Sequence, residues 1–327
     1  MNEQKIIEQF NRIPLGRLDT PIEKISSLED GVEIWVKRDD LTGLGLSGNK
    51  IRKLEYLLWE AKEAGADTLI TCGGVQSNHA RATALAGAKL GLKTHVLLRG
   101  ADGVIPQGNL LLMHLVGANV HPCTPEEYLE RDAHMKRIAS DLRKEGCVPY
   151  IIPEGGSNAL GCMGYVRACK EIADFERQKG VTFDSIVCAV GSGGTYAGLR
   201  AGTALVGLGA RVLGVNVCDD AETFTRRTDG LLEELGDRLG LELPLNPEDT
   251  IIDGFVGPGY AVPTEACRDA IYRAASDHAL ILDPVYTGKA FAGLLAEPQG
   301  GRLGDRSLFI HTGGAFGLFP QAEAILT

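Results

Sequence analysis

The sequence predicts an α/β protein, built from two successive runs in which apolar strands alternate with amphipathic helices to give parallel sheets covered by helices. Three observations predict it. From residue 53 onward the helix and strand periodicities alternate cleanly. The 327 residues exceed what one core usually serves, so two domains are expected. The 42 glycines, against about 23 for a usual share of roughly 7%, gather at the ends of the predicted strands, which points to backbone held close to a small anionic ligand.

Taken in order, residues 1–30 hold a short polar helix and turns at Arg12-Ile13-Pro14-Leu15 and Asp19-Thr20-Pro21-Ile22. Residues 32–37 alternate as a strand. Arg38-Asp39-Asp40 then reads as a structural salt link at the strand's end rather than as chemistry. Helices are expected over 54–64, 78–90, 110–116 and, as one long amphipathic piece, 125–144, with strands over 68–72, 94–98, 119–123 and 148–152. A second run gives helices over 160–176 and 195–206, strands over 185–190 and 212–217, helices over 222–239 and 263–276, a strand over 308–311 and a final helix. No linker rich in Pro, Gly or Ser divides the runs, so the lobes are expected to share an interface. The N-terminal strand belongs with the second lobe, giving a large domain of residues 1–51 plus 156–327 and a small α/β domain of 52–155.

Composition narrows the function. Hydrophobic residues at 44% and charged residues at 23% describe an ordinary globular chain. The 43 acidic and 33 basic residues, a net charge of -10, argue against a nucleic-acid partner. No stretch nears the roughly 18 apolar residues of a membrane span, and Met1-Asn2-Glu3-Gln4-Lys5 begins no signal peptide, so a cytoplasmic location is expected. Eight scattered cysteines form no C-x-x-C pair and read as reduced core residues. The histidines show no ligand spacing, so no metal site is expected.

Ser47-Gly48-Asn49-Lys50 is the candidate centre, a lysine at the end of a small-residue loop entering a helix. An amine nucleophile needs close backbone approach and a depressed pKa, and Gly48 beside Asn49 suits a carbonyl cofactor there; a solvated lysine is the simpler reading of this residue alone, and three glycine-rich turns farther along reverse it. Gly191-Ser192-Gly193-Gly194-Thr195 ends an apolar strand and opens a helix, a phosphate cradle of backbone N–H groups. It is no dinucleotide fingerprint, since Tyr196 stands at the third glycine position, and residues 43–50 make no Walker loop. Gly73-Gly74-Val75-Gln76-Ser77-Asn78-His79 also joins a strand to a helix and could hold a carboxylate, although Ser77 or Asn78 as a plain helix cap and His79 as a structural histidine are the simpler readings. Two tyrosine turns follow, Gly257-Pro258-Gly259-Tyr260 and Asp283-Pro284-Val285-Tyr286-Thr287-Gly288, whose phenols can stack, donate or act as acids. His311-Thr312-Gly313-Gly314 ends the last strand.

In that order these motifs resemble the tryptophan-synthase-β-like, fold type II pyridoxal phosphate enzymes along nearly the whole chain, and most the branch of 1-aminocyclopropane-1-carboxylate (ACC) deaminase and D-cysteine desulfhydrase. The resemblance implies two open twisted, mostly parallel sheets with the cofactor in the cleft between domains, and a homodimer. It implies that Lys50 holds pyridoxal 5'-phosphate as a Schiff base. Lys53 and Gly191, Ser192, Gly193, Gly194 and Thr195 would bind its phosphate, Asn78 the ring hydroxyl, and Thr312 would face the ring nitrogen. Ser77, with Asn78 and His79 beside it, would hold the substrate carboxylate, and Tyr260, Tyr286 and Thr287 would line the reacting side. Lys50, Ser77, Tyr260 and Tyr286 would carry the catalysis.

One departure separates the branches. The deaminase pattern has a glutamate directly after the second tyrosine, where this chain has Thr287. A carboxylate there would keep the ring nitrogen protonated and the electron sink strong, as opening a cyclopropane requires. Hydroxyls suffice when the group on Cβ leaves readily. The expected reaction is therefore β-elimination of D-cysteine: freed Lys50 or Ser77 takes the α-proton, the Cβ–S bond breaks, and hydrolysis gives pyruvate, ammonia and hydrogen sulfide. L-Cysteate sulfo-lyase, ACC deaminase and a non-catalytic binding protein on the same fold are the alternatives, the last disfavoured by the presence of Lys50.

Overall fold

A computed structural model describes residues 3–27, 31–298 and 301–326. Met1 and Asn2, which open the expected N-terminal stretch, lie outside the described residues. The strands are β1 (Ile22–Ser27), β2 (Glu33–Lys37), β3 (Thr68–Gly74), β4 (Lys93–Arg99), β5 (Asn119–Cys123), β6 (Pro149–Ile151), β7 (Ser185–Val190), β8 (Arg211–Asn216), β9 (Thr250–Ile252) and β10 (Arg306–Ile310). The helices are α1 (Glu3–Glu8), α2 (Asn49–Glu63), α3 (Asn78–Leu90), α4 (Gly108–Leu115), α5 (Pro125–Leu129), α6 (Arg131–Lys144), α7 (Ala159–Lys179), α8 (Gly194–Val206), α9 (Ala221–Leu239), α10 (Glu265–His278), α11 (Thr287–Leu295), α12 (Ala315–Leu318) and α13 (Ala322–Leu326). No helix among the described residues is long and apolar enough to cross a membrane.

The strands divide between two sheets. One runs β1-β2-β10-β7-β8-β9 and the other β5-β4-β3-β6. Among the described residues every strand pairing is parallel except β1 against β2. β7 is buried along its whole length and β3 nearly so, as strands covered on both faces must be, which explains their unbroken apolar runs. β10 sits between β2 and β7, with Leu308 beside Trp35 on one edge and Ile186 on the other.

Several elements differ from expectation. β1 escapes the period-two reading because this edge strand carries exposed charge at successive positions, Glu23 and Lys24. β9 is too short to register. The expected helix over 125–144 is two, broken at Glu130, whose φ of -97° and ψ of 23° leave the helical range. The break lets Tyr128 and Arg131 meet one carboxylate: the Tyr128 hydroxyl donates to Glu154 at 2.6 Å, and Arg131 pairs with Glu154 at 3.3 Å. Some of the excess glycine serves helix packing rather than a ligand. A Cβ at Gly198 of α8 would lie 2.5 Å from the carbonyl oxygen of Cys162 in α7.

Beneath the large sheet lies a buried charge network. Asp39 accepts from Arg52 Nη2 at 2.7 Å, from Tyr165 at 2.6 Å and from Thr20 at 2.8 Å. Glu171 pairs with both Arg52 and Lys37 at 2.7 Å. Burial alone would raise the Asp39 carboxyl, but Arg52 and Lys37 hold it down to about 2. Arg38 pairs with Asp40 at 2.8 Å, the structural link expected at this strand end.

Candidate active site

A cavity of about 350 Å³ opens at the C-terminal ends of the parallel strands of both sheets. β3 delivers Gly73, Gly74, Ser77 and Asn78, β4 delivers Arg99, β7 Gly191 to the cradle, β8 Cys218 and Asp219, and β10 Thr312. Lys50 enters from the first turn of α2. Gly48 makes that entry possible, with φ of 92° and a backbone so close to β10 that a Cβ would lie 2.6 Å from the Thr312 carbonyl oxygen. Asn49 N–H then donates to that oxygen at 3.1 Å, fixing the lysine beside Thr312.

The Lys50 amine has no hydrogen-bond partner among the described residues. Burial pushes it down to about 8, against the opposing charge of Glu154. Lys53 lies behind the cavity wall, 1% exposed, its Nζ donating to Gly155 O at 3.3 Å and Ser157 Oγ at 3.2 Å. Burial, with the neighbouring Lys50, draws its amine well below the ordinary lysine range, because only neutral oxygens contact it.

The cradle follows β7. Gly193 has φ of 88°, and a Cβ on Gly194 would come within 2.9 Å of Lys53 Nζ, so small backbone and buried amine face one place. Ser157, which no sequence motif singles out, is the hub. Its Oγ lies 2.8 Å from Ser192 Oγ and accepts from Gly194 N–H at 3.2 Å. Gly194 therefore differs from expectation, since its N–H is already bound and it does not line the cavity; Gly191, Ser192, Gly193 and Thr195 do. Asn49 Nδ2 donates to Thr195 Oγ1 at 3.0 Å, tying the lysine's helix to the cradle.

On the opposite wall, Ser77 caps α3 by accepting from Ala80 N–H at 3.1 Å while facing the cavity, so the cap reading and the site reading both hold. Asn78 lines the cavity and accepts from Asn109 Nδ2 at 2.9 Å. His79 reaches the wall but is 3% exposed, its Nε2 lying 2.8 Å from Thr71 Oγ1, and burial holds it neutral. The hydroxyls of Tyr260 and Tyr286 meet at 2.7 Å. Burial lifts Tyr260 to about 12, with the Tyr286 bond and Arg99 pulling the other way, and lifts Tyr286 well above the ordinary phenol. Either hydroxyl can donate in that bond, so the two phenols form a coupled pair.

Thr287 is a correction. It lines no part of the cavity and is fully buried, its Oγ1 accepting from Asp283 N–H and donating to Asp283 Oδ1, both at 2.7 Å. Tyr286 caps α11 and Thr287 opens it. Successive helical positions turn by about 100°, so when the tyrosine faces the cavity its neighbour faces the core. The reading also missed Arg99, whose guanidinium lies 5.0 Å from the Tyr128 ring and 5.3 Å from that of Tyr260, with no carboxylate partner among the described residues. Its place at the end of a predicted parallel strand was the available signal.

A nucleophilic amine of lowered pKa, a glycine cradle backed by a buried amine without a counter-ion, and two coupled phenols fit a phosphorylated carbonyl cofactor: Lys50 for the carbonyl, Lys53 and the cradle for the phosphate. The class so defined is the fold type II enzymes that work through pyridoxal phosphate. The chain belongs to the pyridoxal-phosphate-dependent enzyme family, whose pattern it matches over residues 13–313, and pyridoxal phosphate is its cofactor. It is 44% identical over 325 residues to the mitochondrial bifunctional D-cysteine desulfhydrase/1-aminocyclopropane-1-carboxylate deaminase of Arabidopsis thaliana, covering 94% of this chain and 79% of that one. It is 41% identical to a D-cysteine desulfhydrase of Yersinia pestis, covering 98% of each. A solved structure of an ACC deaminase homologue superposes with a TM-score of 0.93 at 41% identity, over 99% of this chain and 98% of that one.

Proposed function

We propose that this enzyme is a carbon–sulfur lyase that eliminates hydrogen sulfide from D-cysteine, with water completing the release of pyruvate and ammonia. The observation that supports it is the absence of a free carboxylate at the Thr312 end of the cavity, among the described residues. The lining carboxylates, Glu154 and Asp219, come from the loops after β6 and β8. Asp283 packs under Gly314, but its oxygens accept from the N–H groups of Val285, Tyr286 and Thr287 and from the Thr287 hydroxyl. Bound pyridoxal phosphate supplies an electron sink for charge at the substrate's α-carbon, and a carboxylate at its ring nitrogen deepens that sink. In this chain Thr312, which lines the cavity, would face that nitrogen instead, and this suits a substrate whose Cβ substituent departs as a stable thiolate.

The remaining work falls to the chain's own groups. The lowered Lys50 amine is poised to take the α-proton. The N-terminal turn of α3, with Ser77 and Asn78, offers the substrate carboxylate a positive helix end. Tyr260, hydrogen-bonded to Tyr286, can pass a proton to the departing sulfur.

A second reading, L-cysteate as substrate, draws support from Arg99, a cation in the cavity with no carboxylate partner among the described residues, which a sulfonate would satisfy. The test is product release from D-cysteine, L-cysteine, L-cysteate and ACC. Pyruvate and sulfide from D-cysteine at the highest kcat/KM support the proposal, sulfite from L-cysteate favours the second reading, and 2-oxobutyrate from ACC as the best reaction makes it a deaminase. The homodimer is a further proposal, supported by the exposed apolar group Leu41, Leu44, Ile281 and Phe319 around one surface depression, and sedimentation velocity tests it.

A further inference from the structure

Lys289 lies on α11, three residues beyond Tyr286, with its side chain fully buried. Its Nζ donates to Val256 O at 2.6 Å, Gly259 O at 2.9 Å and Val217 O at 3.4 Å. No carboxylate pairs with it among the described residues. A lysine ammonium has three N–H donors, and here three backbone carbonyl dipoles take all of them in place of a counter-ion.

Each contact ties down a segment that carries a cavity residue. Val217 precedes Cys218, Gly259 precedes Tyr260, and the helix bearing the ammonium begins at Tyr286. The tyrosine loop needs an outside hold, because Ala261 sits at φ of 63°, a left-handed position that a residue with a Cβ adopts reluctantly. Burial draws the Lys289 amine below its ordinary range, and the carbonyls favour its charged form.

We infer that Lys289 is a positioning residue: a covalently tethered monovalent cation that holds the Tyr260–Tyr286 pair in register across three separate segments. The inference rests on these phenols serving the reaction and not on which substrate is used, so the assays employ whichever substrate the wild-type holoenzyme turns over best.

Lys289→Ala leaves a void with three carbonyl oxygens at its far end, where the ammonium stood and a small cation can bind. Its holoenzyme should lose kcat on the order of a hundredfold, the scale of an ångström-sized misplacement, with a smaller change in KM. Potassium or ammonium ions should then restore at least about tenfold of it in a saturable way, while tetramethylammonium does not and the wild type is indifferent. Lys289→Met fills the same space without charge, so it should show the loss and no rescue. A folded, cofactor-loaded Lys289→Ala enzyme with wild-type kcat, or with a loss that potassium does not relieve, overturns the inference. Should Lys289→Ala fail to fold, Lys289→Met decides alone: full kcat in that variant refutes the role, and a loss in kcat with cofactor content intact supports it.

Discussion

A lysine that must attack a carbonyl has to lose its proton first, and the depression of Lys50 to about 8 makes that step readable. The rate at which the stripped enzyme captures pyridoxal phosphate should rise with pH through about 8, whereas a solvent-exposed lysine titrates near ~10.4. Stopped-flow capture over a pH series measures it, and a midpoint at the free-lysine value would show that the amine is not desolvated. The same shift has a cost in stability. The folded state binds fewer protons than the unfolded one between about 8 and 10.5, so the stripped fold loses stability as pH falls through that window. Lys50→Ala should abolish covalent cofactor retention and lower turnover by several orders of magnitude, as gel filtration and product assay would show. Thr287 belongs to the same scale with the opposite lesson. Its identity was legible in the sequence but its direction was not, because direction depends on where α11 begins. Thr287→Val should cost about 1–3 kcal/mol by orphaning Asp283 N–H and removing one of the two bonds to Asp283 Oδ1, which keeps the Thr287 N–H. Thermal melts give that loss, and it should come with little change in substrate choice.

The elements that carry the site are turns between strand ends and helix starts, and they were the most legible part of the chain. Glycines and hydroxyls there announce themselves, as in residues 191–195, whose strand and helix fall where the periodicity puts them. Gly193→Val tests the cradle at this scale. With φ at 88° and Thr228 only 3.0 Å from a Cβ, the added side chain both strains the turn and crowds it. The variant should fold, bind pyridoxal phosphate at least about tenfold more weakly and show an unchanged far-ultraviolet spectrum. Equilibrium dialysis reads the affinity, and unaltered retention would remove the turn from the binding site. Ser157 and the break at Glu130 were not legible, and Arg99 was marked only by its place at a strand end, since each takes its meaning from a partner more than twenty residues away. Ser157 meets Lys53, Arg99 meets Tyr260, and Glu130 parts two helices over Glu154.

Across the molecule, the two sheets are legible as two runs of alternating elements, but the wiring of the larger is not, because nothing local says that β10 pairs with β2. A buried charge network joins the β2 segment, α2 and α7: Lys37 and Asp39 come from the β2 segment, Arg52 from α2 and Glu171 from α7. Removing one partner strands another in the core, so Asp39→Asn should cost about 3–5 kcal/mol by urea unfolding. Because Asp39 is held at about 2 against 3.8 unfolded, its contribution is complete above pH 3.8 and lost as pH falls through about 2. The order β1-β2-β10-β7 also has a consequence for synthesis. The smaller sheet draws on residues 68–151 and can close while the ribosome is still at work. The larger cannot, for its first strands must wait for a partner more than 260 residues downstream, on the order of tens of seconds at ~5–20 residues per second. Through that interval the β1–β2 hairpin is an open edge, and the nascent chain should be a client of the ribosome-bound chaperones until β10 emerges to fill the gap.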